Sequence, residues 1–179
     1  MTTLNYLQIQ TPKNVWIELL RLNPIDPNEI FFEPFAGEKS LLDLVDTNKK
    51  YWTEIEQDKD VFDFKEKTEV TCIYTNPPFK ALIPNKKGEK VYKNAVFFFL
   101  DYFVSMYPNL NTIGFLINSN AFNFFTPYKL AKLAKQGFTI SAITFLNTNY
   151  WYGGYYFLVF RKDYTNKTDI HIIEKTFTK

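Results

Sequence analysis

Four consecutive residues, Asn76-Pro77-Pro78-Phe79, carry the most specific chemistry in this chain. Proline fixes its own backbone and biases the residue before it to extended geometry, so Asn76 and Pro77 hold side-chain and main-chain carbonyl oxygens in one rigid cluster. The prolines contribute no backbone donor. Fixed acceptors of this kind suit an exocyclic amine, whose two N–H groups are held while the nitrogen lone pair is turned out of ring conjugation toward an electrophile. Phe79 can then stack on the ring that bears the amine. An ordinary turn uses the same residue types. It needs neither an aromatic residue next nor a buried strand before it.

Upstream, acids and a glycine recur at Glu33-Pro34-Phe35-Ala36-Gly37, Glu54-Ile55-Glu56, Asp60 and Asp63. Gly37-Glu38-Lys39-Ser40 lacks the glycine that precedes the lysine of a phosphate-binding loop. Downstream, the segment 80–93 sets Lys80, Lys86, Lys87, Lys90 and Lys93 against Glu89 alone, with Pro84 and Gly88 among them. It reads as a mobile basic loop, suited either to clamping nucleic-acid phosphates or to plain solvation. Asn149-Tyr150-Trp151-Tyr152-Gly153-Gly154 crowds three rings beside two glycines, which suits hairpin packing or base stacking. His171 and Cys72 read as a strand residue and a small buried residue.

The elements that must position these residues follow from hydrophobic spacing. Helices are expected at 11–22 (opened by Thr11 and Pro12), 40–45, 93–107 and 127–136, the last closed by Gly137. Strands are expected at 29–33, 50–56, 68–75, 112–118, 139–146 and 155–161, with a short extended piece at 61–64. Alternation of this kind predicts a mostly parallel, seven-stranded sheet with helices on both faces, ending in an antiparallel hairpin. Ligands bind beyond the carboxyl ends of such strands, where the acids and the Asn-Pro-Pro-Phe run fall.

The 179 residues, 46% of them hydrophobic and 22% charged, fit one globular domain over 1–179, with no separate recognition domain. One cysteine and one histidine exclude a disulfide framework and leave no soft ligand set for zinc. The longest apolar run, Ala95 to Leu100, falls far short of the about 18 residues of a membrane span, and no secretion signal opens the chain. A reducing, cytoplasmic location is expected. The net charge of +2 hides segregation: residues 26–66 hold twelve acids against five lysines, and residues 67–162 eleven basic residues against three acids. Two surfaces of opposite sign are expected, the basic one suited to a polyanion.

Taken in order, Thr11-Pro12, Glu33-Pro34-Phe35-Ala36-Gly37, Glu54-Ile55, Asp60 and Asn76-Pro77-Pro78-Phe79 resemble the S-adenosylmethionine-dependent DNA adenine-N6 methyltransferases, most nearly the small phage and giant-virus type. The resemblance covers residues 11–162. It implies a Rossmann-like class I methyltransferase fold, S-adenosylmethionine as cofactor, and an adenine flipped out of DNA as target, in the setting of DNA methylation and restriction-modification. Relatives sharing the four-residue motif act on RNA or protein, and a subunit that binds nucleic acid without catalysis keeps the same fold. Carried over by position, Thr11 and Pro12 meet the methionine part of the cofactor, and Glu33, Pro34, Phe35, Ala36 and Gly37 form its main pocket. Glu54, with Ile55 beside it, takes the ribose hydroxyls, and Asp60, with Asp63 as competitor, takes the adenine amine. Asn76, Pro77, Pro78 and Phe79 hold the target base, and the hairpin region with Trp151 and Tyr152 lines its pocket. The family's glycine motif continues Gly-x-Gly, whereas here Lys39 stands at the second glycine. With the whole chain used by the core, sequence specificity is expected to come from the basic loop, from a partner subunit or from a second copy, or else to be low.

Overall fold

The computed structural model describes residues 10–84, 90–151 and 153–176. At its centre lies a seven-stranded sheet in the order β2-β1-β3-β6-β8-β7-β9. The strands are β1 Ile30–Glu33, β2 Lys49–Trp52, β3 Cys72–Thr75, β6 Thr112–Asn118, β7 Phe138–Thr148, β8 Tyr155–Lys162 and β9 Asp169–Lys175. β8 alone runs against its neighbours: it pairs antiparallel with β6 and with β7, while every other pairing in the sheet is parallel. The expected parallel sheet with a late antiparallel hairpin is thus present.

Strand residues alternate between two cores. Phe32, Ile73, Phe115, Leu158 and Phe160 face α2 (Val96–Met106), α3 (Ser119–Phe122) and α4 (Pro127–Lys135). Phe31, Cys72, Tyr74, Leu116, Phe157 and Val159 face α1 (Lys13–Leu22), whose Val15, Trp16 and Leu19 are buried. α4 starts at Thr126, whose hydroxyl accepts from the Lys129 N–H at 3.5 Å, with Pro127 in the first turn. Gly114 in β6 admits no side chain: a Cβ there would lie 2.5 Å from both Phe157 Cζ and Tyr74 Cδ1.

Four local expectations are corrected. Residues 40–45 form successive turns, not a helix, and the buried Leu41, Leu42 and Val45 fold under them. Residues 61–64 are not extended: Asp60 caps a 3-10 turn, Val61–Asp63, through the Phe62 N–H at 3.0 Å. The seventh strand is β9, which adds to the edge of β7 in parallel. The 80–93 segment is no irregular loop where it is described, but a two-stranded ribbon, β4 Lys80–Pro84 paired antiparallel with β5 Lys90–Asn94. That pairing also delays the start of α2 from residue 93 to Val96.

β1 has β2 on one side and β3 on the other, so the chain reverses its direction of travel across the sheet at β1. A crevice opens at the carboxyl ends of strands flanking such a switch point. Glu33 ends β1, and Asn76 follows β3.

Candidate active site

Glu33 is 3% exposed, and burial pushes its carboxyl well above the ordinary range; the Leu42 backbone N–H bond offsets part of this, and the charges of Asp43 and Glu54 add to it. Among the described residues its Oε2 has no hydrogen-bond partner. The carboxyl borders a cavity of about 20 Å³ lined also by Thr11, Trp16, Phe35, Ala36 and Asn76. That is room for about one water molecule.

Glu54 is also buried, and its Oε2 accepts the Gly37 N–H at 2.6 Å while Oε1 accepts the Glu56 N–H at 3.4 Å. It therefore ties the turn after β1 to the turn after β2. The same two turns are joined by Thr53, whose Oγ1 donates to the Pro34 carbonyl at 2.7 Å, and by the Ala36 N–H on the Thr53 carbonyl at 3.1 Å. Gly37 has φ +49, and a Cβ there would fall 2.5 Å from Oε1 of Gln10, so Gln10 packs where only glycine leaves room.

Lys39 has φ 63, the left-handed region that favours glycine, yet its side chain does not line the cavity. Its ammonium lies 3.8 Å from the centre of the Trp52 ring, and that of Lys59 lies 3.4 Å from the same ring. The Lys39 side chain is thus drawn off toward β2.

The Asn76 amide donates from Nδ2 to Thr11 Oγ1 at 3.0 Å, which brings the Asn-Pro-Pro-Phe turn against the cavity wall. Pro77 is buried; Pro78 and Phe79 are half-buried. The Phe79 ring lies 6.2 Å from Tyr155, and Tyr155 stacks on Trp151 at 4.3 Å. The ribbon departs directly from the motif, with the Ala95 N–H on the Phe79 carbonyl at 3.0 Å. Lys80 is exposed at its base; Lys90 and Lys93 lie on β5, opposite Pro84 and Ala81. Lys86, Lys87 and Tyr152 lie outside the described residues.

The structure brings Thr11, Glu33, Phe35, Ala36 and Asn76 to one cavity, with Pro34 and Gly37 on its turn. Pro12 caps α1 beside it. Phe35 is shared with the core, its ring meeting Phe99 edge-on at 4.7 Å. Glu54 does not line the cavity but accepts from Gly37 on its turn, and neither Ile55 nor Asp60 is brought there. Ile55 is 41% exposed, and Asp60 lines a separate groove of about 440 Å³ with Trp52, Thr53, Lys59 and Asp63. Gln10, Asn14 and Tyr155 also stand at or beside the cavity and the motif. Of these, only Tyr155 had a signal in the sequence, as the aromatic residue following the 149–154 run. Among the described residues no group of three or more His, Cys, Asp or Glu is placed to hold a metal ion, and no helix is long and apolar enough to cross a membrane.

No family model and no curated protein matches the sequence. Solved structures do match the fold. A proposed class I S-adenosylmethionine-dependent methyltransferase from Listeria monocytogenes superposes with TM-score 0.62 at 15% identity, over 89% of this chain and 62% of that one. A proposed RNA methyltransferase from Pyrococcus horikoshii gives 0.59 at 16% identity, over 88% of each chain. The modification subunit of a proposed type I restriction enzyme from Vibrio vulnificus gives 0.58 at 12%, over 90% of this chain and 45% of that one. This chain thus spans under two thirds of the Listeria protein and under half of the Vibrio subunit. Its fold is the Rossmann-like fold of the class I methyltransferases.

Proposed function

We propose that this chain transfers the methyl group of S-adenosylmethionine to the N6 amine of adenine in DNA. The observation that carries the proposal is the Asn76–Thr11 hydrogen bond, 3.0 Å long, which fastens an amine-holding motif to the wall of a cavity containing a buried acid. The residues fit the cofactor. Glu33 offers a ligand bearing positive charge a carboxyl oxygen that has no partner among the described residues, and Gly37 offers a backbone that a larger residue would obstruct. The cavity of about 20 Å³ must widen to admit it, and the Gln10 side chain over Gly37 is the group in the way. Glu54 would take the ribose hydroxyls, exchanging its Gly37 bond, and Asp60 or Asp63, in the separate groove, the adenine amine.

Bound S-adenosylmethionine supplies an electrophilic methyl group, so alignment and exclusion of water are what the protein contributes. The Asn76 amide nitrogen donates to Thr11, and its oxygen would be the acceptor turned to the target amine. The Asn76 and Pro77 carbonyl oxygens would hold the two N–H groups of the target, an interaction that strengthens as the nitrogen becomes tetrahedral. The half-buried Phe79 would offer its ring to the base, with the buried Tyr155 behind it. A duplex adenine must be flipped out to reach them. Lys80, Lys90 and Lys93 of the ribbon, and Lys86 and Lys87 between its strands in sequence, would meet phosphates, with Trp151 and Tyr152 stacking on bases. A partner subunit or a second copy would supply target recognition, consistent with the chain spanning 45% of the Vibrio modification subunit.

The near end-to-end match to the Pyrococcus protein favours RNA as the second reading. The two separate when DNA, RNA and protein are incubated side by side with radiolabelled S-adenosylmethionine and the products digested. Label in N6-methyladenine from DNA supports the proposal. Label confined to RNA or protein overturns it.

A further inference from the structure

Two side-chain hydrogen bonds leave the start of α1 and reach parts of the chain far away in sequence. Thr11 accepts from Asn76 at 3.0 Å, and Asn14 donates from Nδ2 to the Tyr150 hydroxyl at 2.9 Å, across 136 positions. From Tyr150 the contacts close into a ring: Tyr150 to Trp151 at 6.3 Å, Trp151 stacked on Tyr155 at 4.3 Å, and Tyr155 to Phe79 at 6.2 Å, close in sequence to Asn76. Gln10, Thr11 and Trp16, from the same stretch of chain, line the cavity beside Glu33.

One short segment therefore forms the wall of the cavity and also grips both ends of the aromatic face. A cavity of about 20 Å³ cannot admit a nucleoside without movement of that wall. Movement of residues 10–16 acts on Asn76 through Thr11 and on Tyr150 and Trp151 through Asn14. We propose that Tyr150 is a positioning residue: through Asn14 it couples the aromatic end of the target-base pocket to occupancy of the cofactor cavity. The inference rests on the methyltransferase reading above. A ligand that fixes the wall orders the aromatic face in advance, so the second ligand meets a pocket already arranged and binds more tightly.

The sequence holds three tryptophans, at 16, 52 and 151, so incorporation of 5-fluorotryptophan gives one fluorine signal for each, assigned by single Trp→Phe variants. Trp16 lines the cavity and reports occupancy, and Trp151 reports the aromatic face. On titration with S-adenosylhomocysteine, both signals are expected to move in the parent protein. In Tyr150→Phe, which keeps the ring and removes the hydroxyl, Trp16 should still move and Trp151 should not. S-adenosylhomocysteine affinity should change by less than the about fivefold that marks coupling between sites. Asn14→Asp with Tyr150 intact should keep the Trp151 response, because the tyrosine hydroxyl can donate to a carboxylate. A Trp16 response without a Trp151 response in the parent, or the same Trp151 response in Tyr150→Phe, overturns the inference and leaves the methyltransferase reading standing. No response at Trp16, with no binding detected, overturns that reading and the inference with it.

Discussion

Glu33→Gln should separate cofactor binding from protonation. In the free protein the Glu33 carboxyl is 3% exposed, with Oε2 unpartnered among the described residues and the charges of Asp43 and Glu54 nearby. All three conditions favour its neutral form. A cationic cofactor favours the ionised form, so binding must expel the proton wherever the free protein still holds it. Affinity for S-adenosylmethionine should then rise with pH, by up to about tenfold per pH unit below the raised folded value, since one proton per site is worth about 1.36 kcal/mol per unit. The useful range ends near pH 7, because an α-amino group such as the cofactor's loses its own proton at about 7.7–8.0. Glu33→Gln keeps the shape and an acceptor for the Leu42 N–H. It should abolish the slope and weaken binding at pH 7 by about 1.5–3 kcal/mol, the scale for a charged hydrogen bond. Stability without cofactor should change in the opposite sense. Between the ordinary carboxylate value, about 4.3, and the raised folded value, the native state keeps a proton that the unfolded state has lost, so stability falls as pH rises through that window. The variant should be less sensitive to pH there. Isothermal titration from pH 5 to pH 7, in buffers of differing ionisation enthalpy, measures both affinity and proton release. A flat parent profile, or equal slopes in parent and variant, would refute the reasoning.

Three further outcomes are expected. Gly114→Ala places a Cβ 2.5 Å from two buried rings, Phe157 and Tyr74, and should cost about 1–3 kcal/mol, lowering Tm by about 2–4 °C per kcal/mol in thermal denaturation. Lys39→Gly relieves a left-handed backbone and removes the ammonium from the Trp52 ring, two effects of about 1 kcal/mol and opposite sign, and should leave S-adenosylhomocysteine affinity unchanged by calorimetry, because Lys39 lines neither the cavity nor the groove of Asp60 and Asp63. Charge reversal at Lys86 and Lys87 should flatten the salt dependence of DNA binding, by a slope of about 0.9 for each phosphate no longer neutralised; an unaltered slope assigns these lysines to solvent.

The motifs were legible because they sit where strands end. β3 is buried at all four positions, so the sequence shows an apolar run stopping at Asn76, and Glu33 likewise closes the buried run of β1. What escaped has its cause at a distance or in a local compromise. Lys39 holds a left-handed turn that starts the 40–45 segment as turns, although Leu41, Leu42, Leu44 and Val45 repeat as a helix does. β9 mixes Ile170 and Ile172, both largely exposed, with the buried Ile173, and its partner strand β7 begins about thirty residues earlier. The ribbon reads as a loop because its lysines, Pro84 and Gly88 are loop residues; pairing of Lys80 through Pro84 with Asn94 back through Lys90 overrides that composition. The Asn14–Tyr150 bond has no local signature at all.

The central claim is that Asn76 acts on the target amine at the cofactor cavity. Single-turnover methyl transfer to adenine in DNA, with cofactor affinity measured alongside, tests it for Asn76→Ala and Asn76→Asp. Alanine should lose about 10²-fold or more in rate while cofactor affinity is kept, and aspartate, which retains an acceptor, should lose less. Transfer at the parental rate by both variants would contradict it and reduce Asn76-Pro77-Pro78-Phe79 to a turn.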